Sequence, residues 1–138
     1  MAKTFTMQQK VLFRHCDPAG IVFFPRYFEM MNDCVEAFFD SALGTPFHSL
    51  HLTHGVPTAQ IETRFSVPSH HGDVLDLTLH TTRVGGSSWG YAMTAACDGQ
   101  VRFETAATVV YIDGSGRPTR WPDDLRQKLS DYEVTDVT

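Results

Sequence analysis

The chain has 138 residues, of which 42% are hydrophobic and 20% are charged, values near the average for globular domains. We expect a single domain spanning residues 1–138, because this length suffices for a packed core and no linker interrupts it. The formal net charge of -5 at pH 7 argues against nucleic-acid binding. No signal peptide and no apolar stretch of membrane-spanning length is found, so we expect a cytoplasmic protein without membrane attachment. Three irregularly spaced cysteines, Cys16, Cys34 and Cys97, are expected to be reduced thiols.

The first elements along the chain are a strand and a long helix. Residues 5–14 alternate loosely, with Phe13 among the residues on the apolar side, which predicts a strand. Residues 25–43 place apolar side chains at helical spacing and acidic ones on the opposite face, and Gly44 ends the pattern. At about 1.5 Å per residue this helix is roughly 28 Å long, enough for a sheet to wrap around. Residues 45–54 are predicted to form a short irregular or helical connection.

The rest of the chain is predicted to be mainly strands. Asp98-Gly99 is a strong hairpin signal between the last two of them. Pro122 begins a short terminal helix, and residues 132–138 are predicted to fray. The resulting order, β-α-β-β-β-β-α, indicates an α+β domain in which an antiparallel sheet packs on one helix. The four later strands are expected at residues 58–67, 74–84, 88–97 and 101–112.

The strongest functional signal is the sequence HCDPAGIVFFPRY at residues 15–27. Pro18 biases Asp17 towards an extended conformation, Gly20 permits a tight reversal, and Pro25 suits the first position of a helix. A carboxylate is therefore expected beside unpaired amides, which can stabilise negative charge on a carbonyl oxygen while the acid attacks the carbonyl or activates water. This arrangement predicts acyl transfer. The alternative is an ordinary turn in which Asp17 only accepts hydrogen bonds from nearby amides.

Within this segment, the run DPAGIVFFPRY resembles the active-site signature of the 4-hydroxybenzoyl-CoA thioesterase family of the hotdog-fold superfamily. The resemblance implies that Asp17 is the nucleophile or general base on a thioester and that the backbone N–H of Phe24 polarises the thioester carbonyl. It also implies that Gly20, Phe23 and Tyr27 contribute to the substrate site. A related branch of short-chain acyl-CoA thioesterases has histidine at the position of Phe24. Phenylalanine there favours an aryl or arylalkyl acyl group.

The same resemblance implies a hotdog fold, in which a five-stranded antiparallel sheet wraps around one long helix. Members of the family are dimers or tetramers with active sites at the subunit interface, so we expect a homodimer or tetramer here. The expected substrate is an acyl-CoA, and neither a metal nor another cofactor is expected, because a thioester already has a good leaving group. No nucleotide contact is assigned to the scattered basic residues of the second half, which are Arg83, Arg102, Arg117, Arg120, Arg126 and Lys128.

Two other chemistries were weighed against acyl transfer by Asp17. His48, His51 and His54 have a spacing that could place them on one side of a helix as metal ligands. Glycine and proline bracket that segment, however, and leave little room for a rigid helix, so exposed or pocket-lining histidines are expected. A thiol nucleophile, Cys16 with His15, is disfavoured because neighbouring strand residues point to opposite faces. A buried structural Cys16 is expected instead.

Two alternative functions stay open at this stage. One is a non-catalytic protein of the same fold that binds acyl-CoA or an acyl carrier. The other is a short-chain aliphatic acyl-CoA thioesterase. The environment of Asp17 separates the first from an enzyme, since a binder does not need a carboxylate that faces the thioester. An Asp17 that is turned away or held in a salt bridge favours the binder.

Overall fold

A computed structural model describes residues 3–134 and shows one sheet of five antiparallel strands with a helix packed on its inner face. The predicted element order and the α+β hotdog class are confirmed. No helix within residues 3–134 is long and apolar enough to cross a membrane. The strands are β1 (Phe5–Lys10), β2 (Thr58–Phe65), β3 (Val74–Val84), β4 (Ser88–Cys97) and β5 (Gln100–Val110). The helices are α1 (Pro25–Ala37), α2 (Phe47–Leu50) and α3 (Asp123–Asp131).

The order of the strands across the sheet is β1-β3-β4-β5-β2. β1 pairs with β3 and β2 pairs with β5, so the strands that precede and follow α1 occupy opposite edges of the sheet. α1 therefore has to cross the inner face of the sheet between them. The β4–β5 ladder contains one β-bulge, in which Ala96 pairs with Val101 and Ala95 pairs with Phe103. Arg102 is the extra residue of this bulge.

The hydrophobic core lies between α1 and the inner face of the sheet. Alternate residues of the strands face inward, as the sequence pattern predicts for β3 and β4. Phe38, directly after α1, stacks on Trp89 with ring centroids 5.5 Å apart. The fully buried side chains include Met30, Met31, Leu75, Leu77, Leu79, Trp89, Met93, Phe103 and Trp121.

The first strand is shorter than predicted. β1 ends at Lys10, and a 3₁₀ helix at Phe13–His15 replaces the predicted last part of the strand. The prediction that Phe13 lies on the packed side is wrong, because its side chain is 79% exposed. The physical reason is a side-chain hydrogen bond: Nδ1 of His15 accepts the N–H of Leu12 at 2.8 Å, which turns the chain out of the sheet.

The central helix covers the predicted range, but its last turn is widened. Residues Phe38–Ala42 continue α1 as a single π-helical turn. The helix then stops at Gly44, whose φ of 65° is left-handed and therefore suits glycine. Nζ of Lys128, on α3, donates to the carbonyl of Leu43 at 3.1 Å and satisfies one of the free carbonyls of this helix end.

The prediction that the chain frays from residue 132 is wrong for residues 132–134. The N–H of Thr81 donates to the carbonyl of Tyr132 at 2.9 Å, and the N–H of Val134 donates to the carbonyl of Thr81 at 3.2 Å. The ring of Tyr132 also packs edge-on against Phe38, with centroids 4.9 Å apart. Backbone pairing with β3 therefore holds this segment. The remaining part of that prediction, residues 135–138, lies outside the described residues.

Candidate active site

Residues 16–22 form a tight hairpin that begins the candidate site. The N–H of Asp17 donates to the carbonyl of Ile21 at 3.0 Å, and the N–H of Gly20 donates to the carbonyl of Asp17 at 2.9 Å. Cys16 and Val22 form the next bridge along the hairpin. Gly20 has a φ of 83°, a conformation that favours glycine over residues with a side chain. The reversal predicted at this glycine is therefore present, and it fixes the backbone of Asp17.

The carboxylate of Asp17 is partly exposed and is held only by its own turn. Oδ1 accepts the N–H of Ala19 at 2.9 Å, a local bond typical of Asp in turns. The arginines on either side in sequence pair with a different acid: Arg14 lies 3.9 Å and Arg26 lies 2.8 Å from carboxylate oxygens of Glu29. Within residues 3–134, Asp17 makes no salt bridge and Oδ2 accepts no hydrogen bond. One carboxylate oxygen is therefore available to react.

The backbone N–H of Phe24 lies at the N-terminus of α1. Pro25 has no N–H, Arg26 donates its N–H to the carbonyl of Phe23 at 2.8 Å, and Tyr27 donates its N–H to the carbonyl of Phe24 at 3.0 Å. Among residues 24–27, the N–H of Phe24 is thus the one donor without an acceptor in the described part of the chain. The positive end of the helix dipole adds to its capacity to bind an oxygen that becomes negative.

His15 supports this hairpin from inside. Its side chain is buried, and its carbonyl accepts the N–H of Phe23 at 2.9 Å. Burial lowers the pKa of His15 below its ordinary value of 6.5, which favours the neutral ring that accepts the N–H of Leu12. Sγ of Cys16 contacts the carbonyl of Leu12, so His15 and Cys16 bond to the same residue and not to each other. The expectation of a buried Cys16 is wrong, since the hairpin leaves it half-buried.

A small cavity of about 140 Å³ lies beside Phe24. The ring of Phe65 lies between the other two aromatic walls, 6.0 Å from the ring of Phe24 and 5.6 Å from that of Tyr27. Phe23 packs on the outer side of Phe24, at 5.7 Å, and does not line the cavity. The lining residues are Ile21, Val22, Phe24, Tyr27, Phe65, Ser66, Val67, Pro68 and Arg102.

Tyr27 is placed differently from the two phenylalanines before it. Its side chain is only 4% exposed, and its hydroxyl lies 2.9 Å from Oγ of Ser69. Ser69 also lies 3.1 Å from Nη1 of Arg102, which in turn lies 2.9 Å from Oδ2 of Asp73. The N–H of His70 and the Arg102 guanidinium hold the pKa of Asp73 below its ordinary value. Sequence analysis missed this buried network, because no pattern distinguishes Arg102 from the other basic residues.

A second, larger groove of about 670 Å³ lies further along α1 and does not contact Phe24. It is separated from the small cavity by the ring of Phe65, which also contacts Phe28 with centroids 6.1 Å apart. Asp17 lines neither space. The residues that line the groove are mostly apolar and include Phe28, Met31, Val35, Val56, Ile61, Tyr91 and Val109.

The histidines weighed as metal ligands make separate local contacts. α2 spans only four residues, and Nδ1 of His51 lies 2.8 Å from the carbonyl of Phe47. His54 stacks on Tyr111 with ring centroids 4.8 Å apart, while His48 is exposed. Within residues 3–134, no three His, Cys, Asp or Glu side chains form a group that could hold a metal ion.

The sequence was compared with known families once this geometry was established. Residues 11–129 match the family described as the thioesterase-like superfamily. The chain belongs to this family. It is also 31% identical over 80 residues to the 4-hydroxybenzoyl-CoA thioesterase of Pseudomonas sp. strain CBS-3. That alignment covers 56% of this chain and 57% of the relative, so the chain spans little more than half the length of the curated relative it matches.

Solved structures share the fold over nearly the whole chain. A 1,4-dihydroxy-2-naphthoyl-CoA thioesterase from Synechocystis superposes with a TM-score of 0.86 at 19% identity, covering 94% of this chain and 97% of the other. A Staphylococcus aureus protein solved in complex with CoA superposes with a TM-score of 0.89 at 17% identity, covering 100% of this chain and 90% of the other. At these identities the superpositions support the hotdog fold alone.

Proposed function

We propose that this family member is a cytoplasmic acyl-CoA thioesterase that prefers an aryl or arylalkyl acyl group. Its family and its 4-hydroxybenzoyl-CoA thioesterase relative support the reaction class. Two of the proteins it resembles are named for aromatic acyl groups, 4-hydroxybenzoyl and dihydroxynaphthoyl. The three free cysteines fit a reducing compartment.

In the proposed reaction, the thioester carbonyl oxygen accepts the N–H of Phe24. Asp17 then attacks the carbonyl carbon directly, or removes a proton from the water that attacks it. The C–S bond breaks, and the products are the free acid and the thiol of coenzyme A. The negative charge that develops on the carbonyl oxygen is stabilised by one amide and by the positive end of the α1 dipole. Gly20 contributes by allowing the turn that positions the carboxylate.

The single observation that carries the proposal is the environment of Asp17. Its carboxylate is partly exposed, has one local hydrogen bond, and makes no salt bridge with residues 3–134. Both neighbouring arginines are paired with Glu29 instead. A protein that only binds acyl-CoA has no use for such a carboxylate beside an unpaired amide. This environment therefore favours an enzyme over a binder.

The cavity beside Phe24 supports the preference for an aromatic acyl group. Its volume of about 140 Å³ is close to that of a protein cavity of about 150 Å³ that is known to hold one benzene ring. The rings of Phe24, Tyr27 and Phe65 provide aromatic contacts on the order of 1 kcal/mol each. The larger groove does not contact Phe24, so we assign the acyl group to the smaller space. A long aliphatic chain does not fit there.

We further propose that the active form contains a second copy of the chain along β2. β2 is an edge strand, and it and the loop after it expose the apolar side chains of Ile61, Phe65 and Val67. An exposed edge of this kind favours strand pairing. Phe65 also contacts Phe24 and Tyr27, so a partner on β2 lies next to the candidate site. Light scattering is expected to give a dimer or tetramer of the 15.5 kDa chain, and a fully active monomer contradicts the shared site.

A turnover screen tests the proposed substrate. Benzoyl-, 4-hydroxybenzoyl-, phenylacetyl-, acetyl-, butyryl- and palmitoyl-CoA are compared by the release of free thiol. We expect kcat/KM to be highest for aryl or arylalkyl groups, lower for short aliphatic groups and lowest for palmitoyl-CoA, because a closed cavity rejects a long chain by overlap. If acetyl- or butyryl-CoA is best, the enzyme is a short-chain thioesterase. If binding occurs without turnover of any thioester, the protein is a binder.

A pair of volume-filling variants tests which space takes the acyl group. Val67→Phe fills the small cavity, and the matched control Val56→Phe fills the larger groove. Both sites have apolar surroundings, so both variants should fold. We expect Val67→Phe to raise KM for the best aryl thioester and Val56→Phe to leave it unchanged. The reverse result assigns the acyl group to the groove.

A further inference from the structure

The β-bulge in β5 directs Arg102 into the protein. Residues of a regular strand alternate between the two faces of a sheet, and the neighbouring Phe103 is fully buried on the inner face. Because the bulge inserts Arg102 as an extra residue between Val101 and Phe103, its side chain is also buried, with 7% exposed. Bulges often occur beside active sites, where they redirect a side chain. Here the redirected side chain is the only buried Arg or Lys within residues 3–134.

The guanidinium of Arg102 holds the loop of residues 66–73. Nη1 lies 3.1 Å from the carbonyl of Pro68, 3.1 Å from Oγ of Ser69 and 2.9 Å from Oδ2 of Asp73. The backbone of Arg102 contributes as well, since its carbonyl accepts the N–H of Ser66 at 2.9 Å. One side chain and its own backbone thus contact both ends of the loop.

The same loop holds the hairpin that carries the candidate catalytic groups. The carbonyl of Ser69 accepts the N–H of Val22 at 2.9 Å, and His70 pairs with Ile21. The hydroxyls of Ser69 and Tyr27 are 2.9 Å apart, which attaches the loop to the first turn of α1. Val22 and Tyr27 lie on either side of Phe24. Displacement of the loop therefore changes the direction of the Phe24 N–H.

Stability alone does not account for this arginine. Nε of Arg102 is buried without a hydrogen-bond partner in the described part of the chain, and an unsatisfied buried donor is unfavourable. Buried ion pairs can often be replaced by apolar residues without loss of stability. Asp73, the acidic partner, is partly exposed and keeps a 2.9 Å hydrogen bond from the N–H of His70. An apolar side chain at position 102 would therefore be tolerated.

We propose that Arg102 is a positioning residue for catalysis, which holds the Phe24 amide and the Asp17 hairpin in the reactive geometry through Ser69 and Tyr27. This inference rests on the proposed thioesterase function. It does not require Arg102 to touch the substrate. Reacting groups must be placed accurately, and a displacement of about 1 Å can reduce a rate by about 100-fold.

Three variants test this role. Arg102→Met removes the guanidinium, and Tyr27→Phe removes one hydroxyl at the other end of the network with almost no change of shape. The control is Thr105→Val, on the same strand, because Thr105 is also buried and hydrogen-bonded, to Thr63 at 2.6 Å and to the carbonyl of Glu62 at 3.1 Å. Its partners lie on β2 and not on the loop. Each variant is measured by kcat and KM on the best thioester and by amide hydrogen exchange of residues 17–24.

We expect Arg102→Met to lower kcat about tenfold or more, with KM changed by less than about twofold. Tyr27→Phe should act in the same direction with about a threefold loss. Exchange at residues 17–24 should become faster in both variants, and Thr105→Val should change neither kcat nor this exchange. If Arg102→Met does not fold, Tyr27→Phe alone decides the question.

Unchanged exchange at residues 17–24 overturns the inference, as does faster exchange with an unchanged kcat. A rise in KM with kcat unchanged also overturns it, because Arg102 then acts by binding the substrate. Failure of the proposed function looks different, since the wild-type protein then hydrolyses no thioester of the panel. In that case, the exchange measurement still decides whether Arg102 holds the hairpin.

Discussion

The substitution Phe24→Pro tests the role of a single backbone N–H. Phe24 has a φ of -54°, which proline adopts without strain, and its N–H has no acceptor in the described residues, so no hydrogen bond of the fold is lost. The preceding residue, Phe23, donates its N–H to His15 at 2.9 Å in extended pairing, the conformation that a following proline favours. The substitution therefore removes the proposed oxyanion donor and leaves the hairpin intact.

The expected loss can be separated into an amide part and a ring part. Removal of one oxyanion donor typically lowers kcat by about 100- to 1000-fold. The ring of Phe24 is 56% exposed and contacts Phe23 and Phe65 at 5.7 and 6.0 Å, so its removal costs about 0.5–1.5 kcal/mol per contact. Phe24→Ala is the matched control, because it removes the same ring and keeps the N–H.

The assay is the rate of thiol release from the best thioester by both variants, with folding checked by circular dichroism and thermal unfolding. We expect kcat of Phe24→Pro to fall at least about 100-fold below that of Phe24→Ala. Equal rates for the two folded variants would refute the assignment of the Phe24 amide as oxyanion donor, even if both were slower than the wild type.

Three other predictions concern groups near the site. Cys16→Ser should leave kcat within about twofold of the wild type, because Sγ contacts only the carbonyl of Leu12; a collapse of activity would indicate a thiol nucleophile. Burial lowers the pKa of His15, so the unfolded chain takes up its proton more readily and the free energy of unfolding should decrease as the pH falls through 6.5. Chemical denaturation at pH 7.5 and 5.5 checks this, and an identical pH dependence in His15→Asn would contradict it. Prolonged chelation should leave activity unchanged, whereas a loss restored by zinc would assign a role to the histidines.

The fold could be predicted from the sequence because its signals are local and regular. The alternation in β3 and β4 and the helical spacing after Pro25 each depend on burial of one face, which the side-chain pattern reports directly. The errors occur at the ends of elements. β1 stops early because one side chain, His15, bonds the backbone of Leu12, and no periodic pattern contains that information.

The chain terminus shows the same limit. Residues 132–134 lack a strong strand pattern, and their order comes from two hydrogen bonds to Thr81. Those bonds form only because α3 brings the chain back to β3. A sequence pattern does not include such a long-range pairing, so fraying was the expectation.

The candidate site was predictable where chemistry depends on neighbouring residues. The order of Asp17, Gly20 and Pro25 predicts a turn before a helix, and the structure contains both. The partners that hold this turn come from distant parts of the chain, above all Ser69 and Arg102. Arg102 depends on a bulge, which arises from the pairing of two strands and leaves no mark in the composition.

The most direct test of the proposed catalysis is kcat of Asp17→Asn on the best thioester. The amide oxygen of asparagine can still accept the N–H of Ala19, so the turn should persist, while the negative charge that either nucleophilic or general-base catalysis needs is gone. We predict that kcat falls by at least about 100-fold with the fold unchanged. A folded Asp17→Asn protein that hydrolyses the thioester at nearly the wild-type rate would contradict the central role of this carboxylate.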